Sequence, residues 1–138
     1  CAKTRTQNEE GTWIVDDMQA AYCRLYEAGY AHSVESWLDG HLVGGLYGVS
    51  LGRCFFGESM FSNVSNASSV ALVALARYLM NLSFDLIDCQ VTTAHLMRFG
   101  AREISRTQFL KELRKALTGP TLKGQWSHQF QNGKDPSN

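Results

Sequence analysis

A chain of 138 residues with 44% hydrophobic side chains is sized for one domain with a core of its own. Thirteen basic side chains balance thirteen acidic ones, which excludes a global field for nucleic acid or an anionic membrane and leaves such partners only a local patch. No run reaches the length of a membrane span, no signal-peptide pattern opens the chain, and Cys1, Cys23, Cys54 and Cys89 lack zinc-site spacing, so reduced thiols and a cytoplasmic location are expected.

Residues 1–11 are polar and aperiodic and read as a connecting segment from an upstream domain, an impression strengthened by a start at Cys1 rather than Met. Trp13 stands just before a helix that opens on Asp16 and Asp17. Met18, Tyr22, Leu25 and Tyr26 give it an apolar stripe, and Gly29 ends it. His32 to Leu38 and Leu42 to Ser50 read as a hairpin about Asp39-Gly40. Gly44, Gly45 and Gly48 in its second arm signal a bulge, a close packing contact or the approach of a ligand. Cys54 to Phe61 reads as a third strand, with Glu58 among aromatics. Asn66 suits a helix cap, and Leu72, Leu75, Ala76, Leu79 and Met80 carry that helix to about Asn81 on a face broad enough to cover a sheet.

Leu86 to Gln90 is an apolar run that carries a carboxylate and a carboxamide. As a strand it places Asp88 and Gln90 on one face and Ile87 and Cys89 on the other. Such a pair is either a hydrogen-bonded structural Asp at a strand end or a site at the carboxyl end of a central strand. Thr92 to Phe99 forms a short helix or turn, Ala101 to Ile104 a last short strand, and Ser105 opens a helix that Gly119-Pro120 closes. The tail beyond Pro120 is polar and reads as loosely packed despite Trp126 and Phe130. The elements sum to a mixed α/β, or α+β, domain over residues 12–119 with one mostly antiparallel sheet flanked by helices, the element order of the acetyltransferase-like fold, and a tail over 120–138.

The strings TWI, MQAAYCRLYEAGYAHSVESW, LVGGLYGVSLG, FFGESMFS, NAS, LIDCQ and HLMRFGAR, spread from Trp13 towards Leu113, resemble the carboxy-terminal catalytic domain of the leucyl/phenylalanyl-tRNA–protein transferases. That resemblance implies transfer of Leu, Phe or, less well, Met from aminoacyl-tRNA to a protein that begins with Arg or Lys, marking it for degradation, with no cofactor, metal or membrane. It implies that Asp88, Gln90 and Glu58 are the catalytic polar groups, with Gly57, Ser59 and Thr93 as substrate contacts beside them. It assigns Leu46, Phe55, Leu72, Leu75, Leu79 and Ile87 to an apolar pocket for the transferred side chain, residues that read equally as plain core. Trp13 corresponds to an aromatic stacked on the terminal adenine of the tRNA.

Two departures accompany the match. Ser69 stands where the family has Lys, and the family's smaller amino-terminal domain has no counterpart here, so part of the tRNA surface lies elsewhere and this piece alone is expected to be weak or inactive. The best local basic cluster is Lys111 to Lys115. The competing readings are an acyl-coenzyme A N-acyltransferase of the same fold and a non-catalytic domain that binds a peptide amino terminus. The first needs a Gly-rich phosphate nest before the long helix, and residues 62–69 hold no glycine.

Overall fold

The computed structural model describes residues 16–126, and Trp13 therefore lies outside the described residues. Helix α1 (Asp16–Glu27) leads into a hairpin of β1 (Ala31–Leu38) and β2 (His41–Leu51), and β3 (Cys54–Ser62) adds a third antiparallel strand. Helix α2 (Ala67–Asn81) then returns the chain to β4 (Leu86–Asp88), which lies parallel to β3, and α3 (Ala94–Arg98) and α4 (Arg106–Leu117) follow. The sheet order is β1-β2-β3-β4. This is the mixed sheet flanked by helices that the element order predicts.

Local chemistry explains most boundaries. Asp39 and Gly40 have φ of 49° and 77°, the left-handed pair that matches the twist of a two-residue hairpin. Thr93 and Ser105 cap α3 and α4 by accepting from the backbone N–H groups of Leu96 and Gln108. Asn66 precedes α2 as expected but not as a side-chain cap: it sits at φ 65° and its side chain accepts no capping bond. The first turn of α2 is held from outside instead, because Ser62 Oγ accepts from the Ser68 N–H and Ser36 Oγ donates to the Ala67 carbonyl.

The glycines of β2 serve packing. A Cβ on Gly44 would stand 2.5 Å from the Ala67 Cβ, so its absence lets α2 settle directly on the sheet. A Cβ on Gly48 would meet the Phe55 ring at 2.6 Å. On this face Leu46, Phe55, Ala71, Leu75 and Leu79 form the closed core, with Leu72, Ile87, Met60 and Trp126 packed around it. Met80, expected on the buried face of α2, is 75% exposed: it follows Leu79, which takes the inward position. Tyr26 likewise points outward from α1.

Three expectations are corrected. Ala101 to Ile104 is not a strand, because the Ala101 N–H donates to the Leu96 carbonyl to close α3 and the three-residue β4 offers little ladder for a further strand. The strand read over Leu86 to Gln90 stops at Asp88. Residues 121–126, read as loosely packed, are fastened to the domain: Thr121 Oγ1 accepts from the Gly52 N–H at 2.8 Å, and the Gly124 N–H donates to the Gly29 carbonyl at 3.1 Å. No described helix is long and apolar enough to cross a membrane.

Candidate active site

β3 and β4 pair only over Cys54–Phe56 and Leu86–Asp88. From Gly57 onward β3 continues against β2 alone, so a gap opens between the far half of β3 and the chain leaving Asp88. All three polar groups assigned by the resemblance border this gap. A Cβ on Gly57 would lie 3.4 Å from the Asp88 carbonyl oxygen, which measures how closely the strand passes the turn.

Asp88 and Gln90 are brought together by a turn and not by strand alternation. Gln90 has φ 62°, and its backbone N–H donates to Asp88 Oδ1 at 2.9 Å, an Asp-based turn that spends one carboxylate oxygen on its own backbone. A left-handed non-glycine residue is uncommon and is held there by its surroundings. The Gln90 side chain reaches back to β3, where its Nε2 donates to Glu58 Oε1 at a long 3.5 Å.

Glu58 owes its position to a bulge. Tyr47 pairs with Ser59 and Gly48 with Gly57, so Glu58 is an extra residue with no partner on β2. A bulge of this kind turns a side chain away from simple alternation. It places Glu58 beside Ser59 on the face that carries α1, where the Tyr22 hydroxyl donates to Glu58 Oε2 at 2.7 Å. Tyr22 in turn packs edge-on against Tyr47, with ring centroids 5.1 Å apart. Burial, then the hydrogen bond and negative charge of Glu58, raise the Tyr22 hydroxyl above the ordinary phenol range. The Ser59 hydroxyl is buried with no hydrogen-bond partner among the described residues, an unspent donor and acceptor next to Glu58.

Beside Glu58, α1 leaves a cavity of about 400 Å³ lined by Met18, Ala21, Tyr22, Leu25, Val49, Leu51, Phe56 and Glu58. Its walls are apolar and its one ionised group is a carboxylate. Neither Tyr22 nor this cavity follows from the sequence, where the α1 stripe reads as core. The one available signal is a tyrosine within that stripe, a ring whose polar tip needs a partner when buried.

The residues expected to form a pocket for an apolar side chain do gather, on the opposite face. Leu46 is 6% exposed, Phe55 0%, and Leu75 and Leu79 1% each, with Leu72 and Ile87 half-buried against them. They form one buried cluster. Thr93 is engaged as the α3 cap. Ser69, at the position of the family's Lys, is buried 3.4 Å from His95 Nε2 and does not project into solvent. Burial and then the Asp88 charge push the Cys54 thiol up to about 12 and raise Cys89 as well, so neither thiol is activated as a nucleophile.

A family model described as leucyl/phenylalanyl-tRNA protein transferase matches residues 1–114. The curated protein of that name from Desulfatibacillum aliphaticivorans is 56% identical over 133 residues, which is 96% of this chain and 57% of the relative. That from Syntrophus aciditrophicus (strain SB) is 59% identical over 127 residues, 92% of this chain and 53% of the relative. The chain thus spans about half the length of the curated relatives it matches. Among solved structures, an aminoglycoside acetyltransferase from an uncultured soil metagenomic sample, in complex with sisomicin, aligns over 95% of this chain and 84% of its own at 11% identity and a TM-score of 0.49.

Proposed function

The chain belongs to the leucyl/phenylalanyl-tRNA protein transferase family, and from that premise we propose that it is the catalytic part of an enzyme that moves Leu or Phe, and less well Met, from aminoacyl-tRNA to the α-amine of a protein that begins with Arg or Lys. The product would be a protein marked for degradation, and the reaction would take place in the cytoplasm. The observation that carries the reading is the convergence of Asp88, Gln90 and Glu58 on one gap in the sheet, with an apolar-walled cavity ending on Glu58.

Peptide-bond formation from an ester needs a neutral amine aimed at the ester carbonyl carbon. The N–C bond forms, the ester C–O bond breaks, and the proton released by the amine ends on the departing ribose oxygen. Much of the acceleration comes from holding amine and ester together. In this reading Asp88 fixes the turn, Glu58 holds the Gln90 amide nitrogen, and the Gln90 carbonyl oxygen is left to accept from the incoming amine. A carboxamide is too weak a base to strip an ammonium, so the amine arrives neutral and Gln90 orients it. The Ser59 hydroxyl supplies a further contact for the amine or the developing oxyanion.

The cavity beside Glu58 accounts for the acceptor. Arg and Lys are apolar stems with a cationic head, and Met18, Ala21, Leu25, Val49 and Phe56 offer the stem a wall while Glu58 offers the head a carboxylate. The donor side chain takes the cluster of Leu46, Phe55, Leu72, Leu75, Leu79 and Ile87, reached from the other side of the gap and opened on binding. Trp13 is assigned to the terminal adenine.

The acyl-coenzyme A alternative needs unspent N–H groups at the start of α2 for a pyrophosphate. There the Ala67 N–H already donates to the Val64 carbonyl and the Ser68 N–H to Ser62 Oγ.

The deciding experiment is transfer of Leu or Phe from charged tRNA to a peptide beginning with Arg, using a protein of the relatives' full length. Asp88→Ala and Gln90→Ala should each lower turnover far more than tRNA affinity, and the double change should cost less than the product of the two because they act as one unit. Full turnover in either variant would remove the assignment. The 138 residues alone are expected to transfer more slowly than the longer protein.

A further inference from the structure

The described residues that follow α4, 118–126, form a strap that carries Trp126. Thr121 ties it to the β2–β3 turn and Gly124 to the α1–β1 turn, while Lys123 Nζ lies 4.5 Å from the centre of the Tyr30 ring. Gly29 has φ 81°, and a Cβ there would stand 2.5 Å from the Gly124 nitrogen, so the strap's seat is shaped for a close backbone approach. Two residues beyond Gly124, Trp126 stacks on His32 with centroids 3.6 Å apart and planes 9° from parallel. The same indole meets Tyr78 at 5.5 Å, Phe84 at 6.0 Å and Phe55 at 6.1 Å, and its Nε1 donates to the Leu122 carbonyl.

Phe55 is the residue that gives this contact a consequence. It is fully buried in the cluster with Leu46, Leu75 and Leu79, and Gly48 is tight against one side of its ring. Trp126 packs on the ring as well. A guest in this cluster must fit against the Phe55 ring, because a packed interior passes a change in one side chain on to its neighbours. Leu75 and Leu79 are fixed to a 15-residue helix and Leu46 to the middle of the sheet, whereas Trp126 is carried by the irregular residues 118–126. The place of the Phe55 ring is therefore set on this side by Trp126 and not by a helix or a strand.

We propose that Trp126 is a specificity-determining positioning residue, which sets how far Phe55 yields and so which donor side chain, Leu or Phe, the cluster admits. The proposal rests on the reading of that cluster as the donor pocket. Trp126 touches no substrate. It acts through Phe55, and the strap's attachments keep it in place.

The test uses the full-length protein and compares kcat/KM for Leu-tRNA and Phe-tRNA as donors. Trp126→Ala should shift the ratio several-fold towards Phe with little change in the acceptor's KM, and Trp126→Phe should fall between the variant and the parent. A purely structural role would lower both donors alike. A folded Trp126→Ala protein with the parental ratio, while Phe55→Leu shifts it, overturns the role of Trp126 and keeps the pocket. If Phe55→Leu also leaves the ratio unchanged, the pocket reading falls and this inference falls with it. Should Trp126→Ala fail to fold, Trp126→Leu retains part of the packing, and a parental Leu/Phe ratio in that variant overturns the role just as a shift towards Phe supports it.

Discussion

On the α2 face of the sheet, four large side chains from two strands and a helix are at most 6% exposed and pack into one cluster, whereas on the α1 face no residue of α1 is fully buried and a cavity of about 400 Å³ lies open beside Glu58. The two faces solve different problems with the same strands. An apolar cluster gives the domain most of its stability, since burial of apolar area is the main favourable contribution to folding. A site of the kind proposed, which would bind a charged end and aim an amine, needs polar groups within reach of solvent, and groups of that kind add little to stability. The gap beyond Phe56 and Asp88 exists because β4 is three residues long.

The sharpest way to break this contrast is one truncation on each face. Leu75→Ala should destabilise by about 2 to 5 kcal/mol, because Leu75 is 1% exposed and its neighbours belong to a rigid helix and sheet that close only in part over the hole. Met18→Ala, on the half-buried wall of the cavity, should cost about 1 kcal/mol or less. Denaturant midpoints measured at constant slope check both. Equal losses would mean that the α1 face contributes as much to the fold as the core does.

Acid should act through the closed face. His32 is 5% exposed under the Trp126 indole, and desolvation lowers its imidazole to about 4 from an ordinary value near 6.5. Between those values the unfolded chain binds the proton and the folded one does not, so stability falls as the pH drops from about 6.5 towards 4. The effect is worth at most about 3 kcal/mol. His32→Gln should flatten that part of a stability–pH curve. In Trp126→Ala, NMR titration should find the imidazole closer to its ordinary value, which tests the stacking independently of any transfer assay.

How much of this was legible in the sequence follows the same division. The elements of the closed face carry periodic apolar patterns: α2 lies where Leu72, Leu75 and Leu79 place it, and Asp39-Gly40 turns the hairpin as its residues demand. The site depends on local departures from period. Strand alternation puts Asp88 and Gln90 on one face, yet they meet through a left-handed Gln90 and an Asp-based turn that alternation does not encode. Glu58 is re-aimed by a bulge, signalled in the sequence by Gly48 on the paired strand and by the neighbouring Gly57. The resemblance names these polar groups, whereas the turn and the bulge that bring them together follow from no period. The packing of Trp126 is invisible in the sequence because an irregular segment has no period to betray what it packs against.

Thr93 separates a structural contact from a catalytic one among neighbours on the same stretch of chain. Its hydroxyl accepts the Leu96 N–H at 3.1 Å as the α3 cap. Thr93→Ala should therefore cost about 0.5 to 2 kcal/mol of stability. Thr93→Ser or Thr93→Asp keeps a capping oxygen and should restore both stability and transfer. A loss of turnover that Ser does not restore would make Thr93 a substrate contact in its own right.

The remaining effect belongs to the open face and concerns Tyr22. Its hydroxyl gives Glu58 a hydrogen bond at 2.7 Å, and burial together with that carboxylate raises it above the ordinary phenol value of about 10. The folded protein then keeps the phenolic proton after the unfolded chain has lost it, so stability declines as the pH rises through and beyond that value. Cys54 and Cys89, whose thiols burial also raises, decline in an overlapping window, and the share of Tyr22 is therefore the difference between the parent and Tyr22→Phe. At neutral pH the lost bond should cost about 0.5 to 1.5 kcal/mol, since the partner carboxylate can turn to water through the open cavity and is not stranded. Turnover should fall more than stability, because Glu58 would no longer be held at one oxygen while Gln90 leans on the other. If Tyr22→Phe loses stability and leaves transfer to Arg peptides unchanged, the tyrosine only fastens α1 to the sheet, and the open face is less specialised than its polar groups indicate.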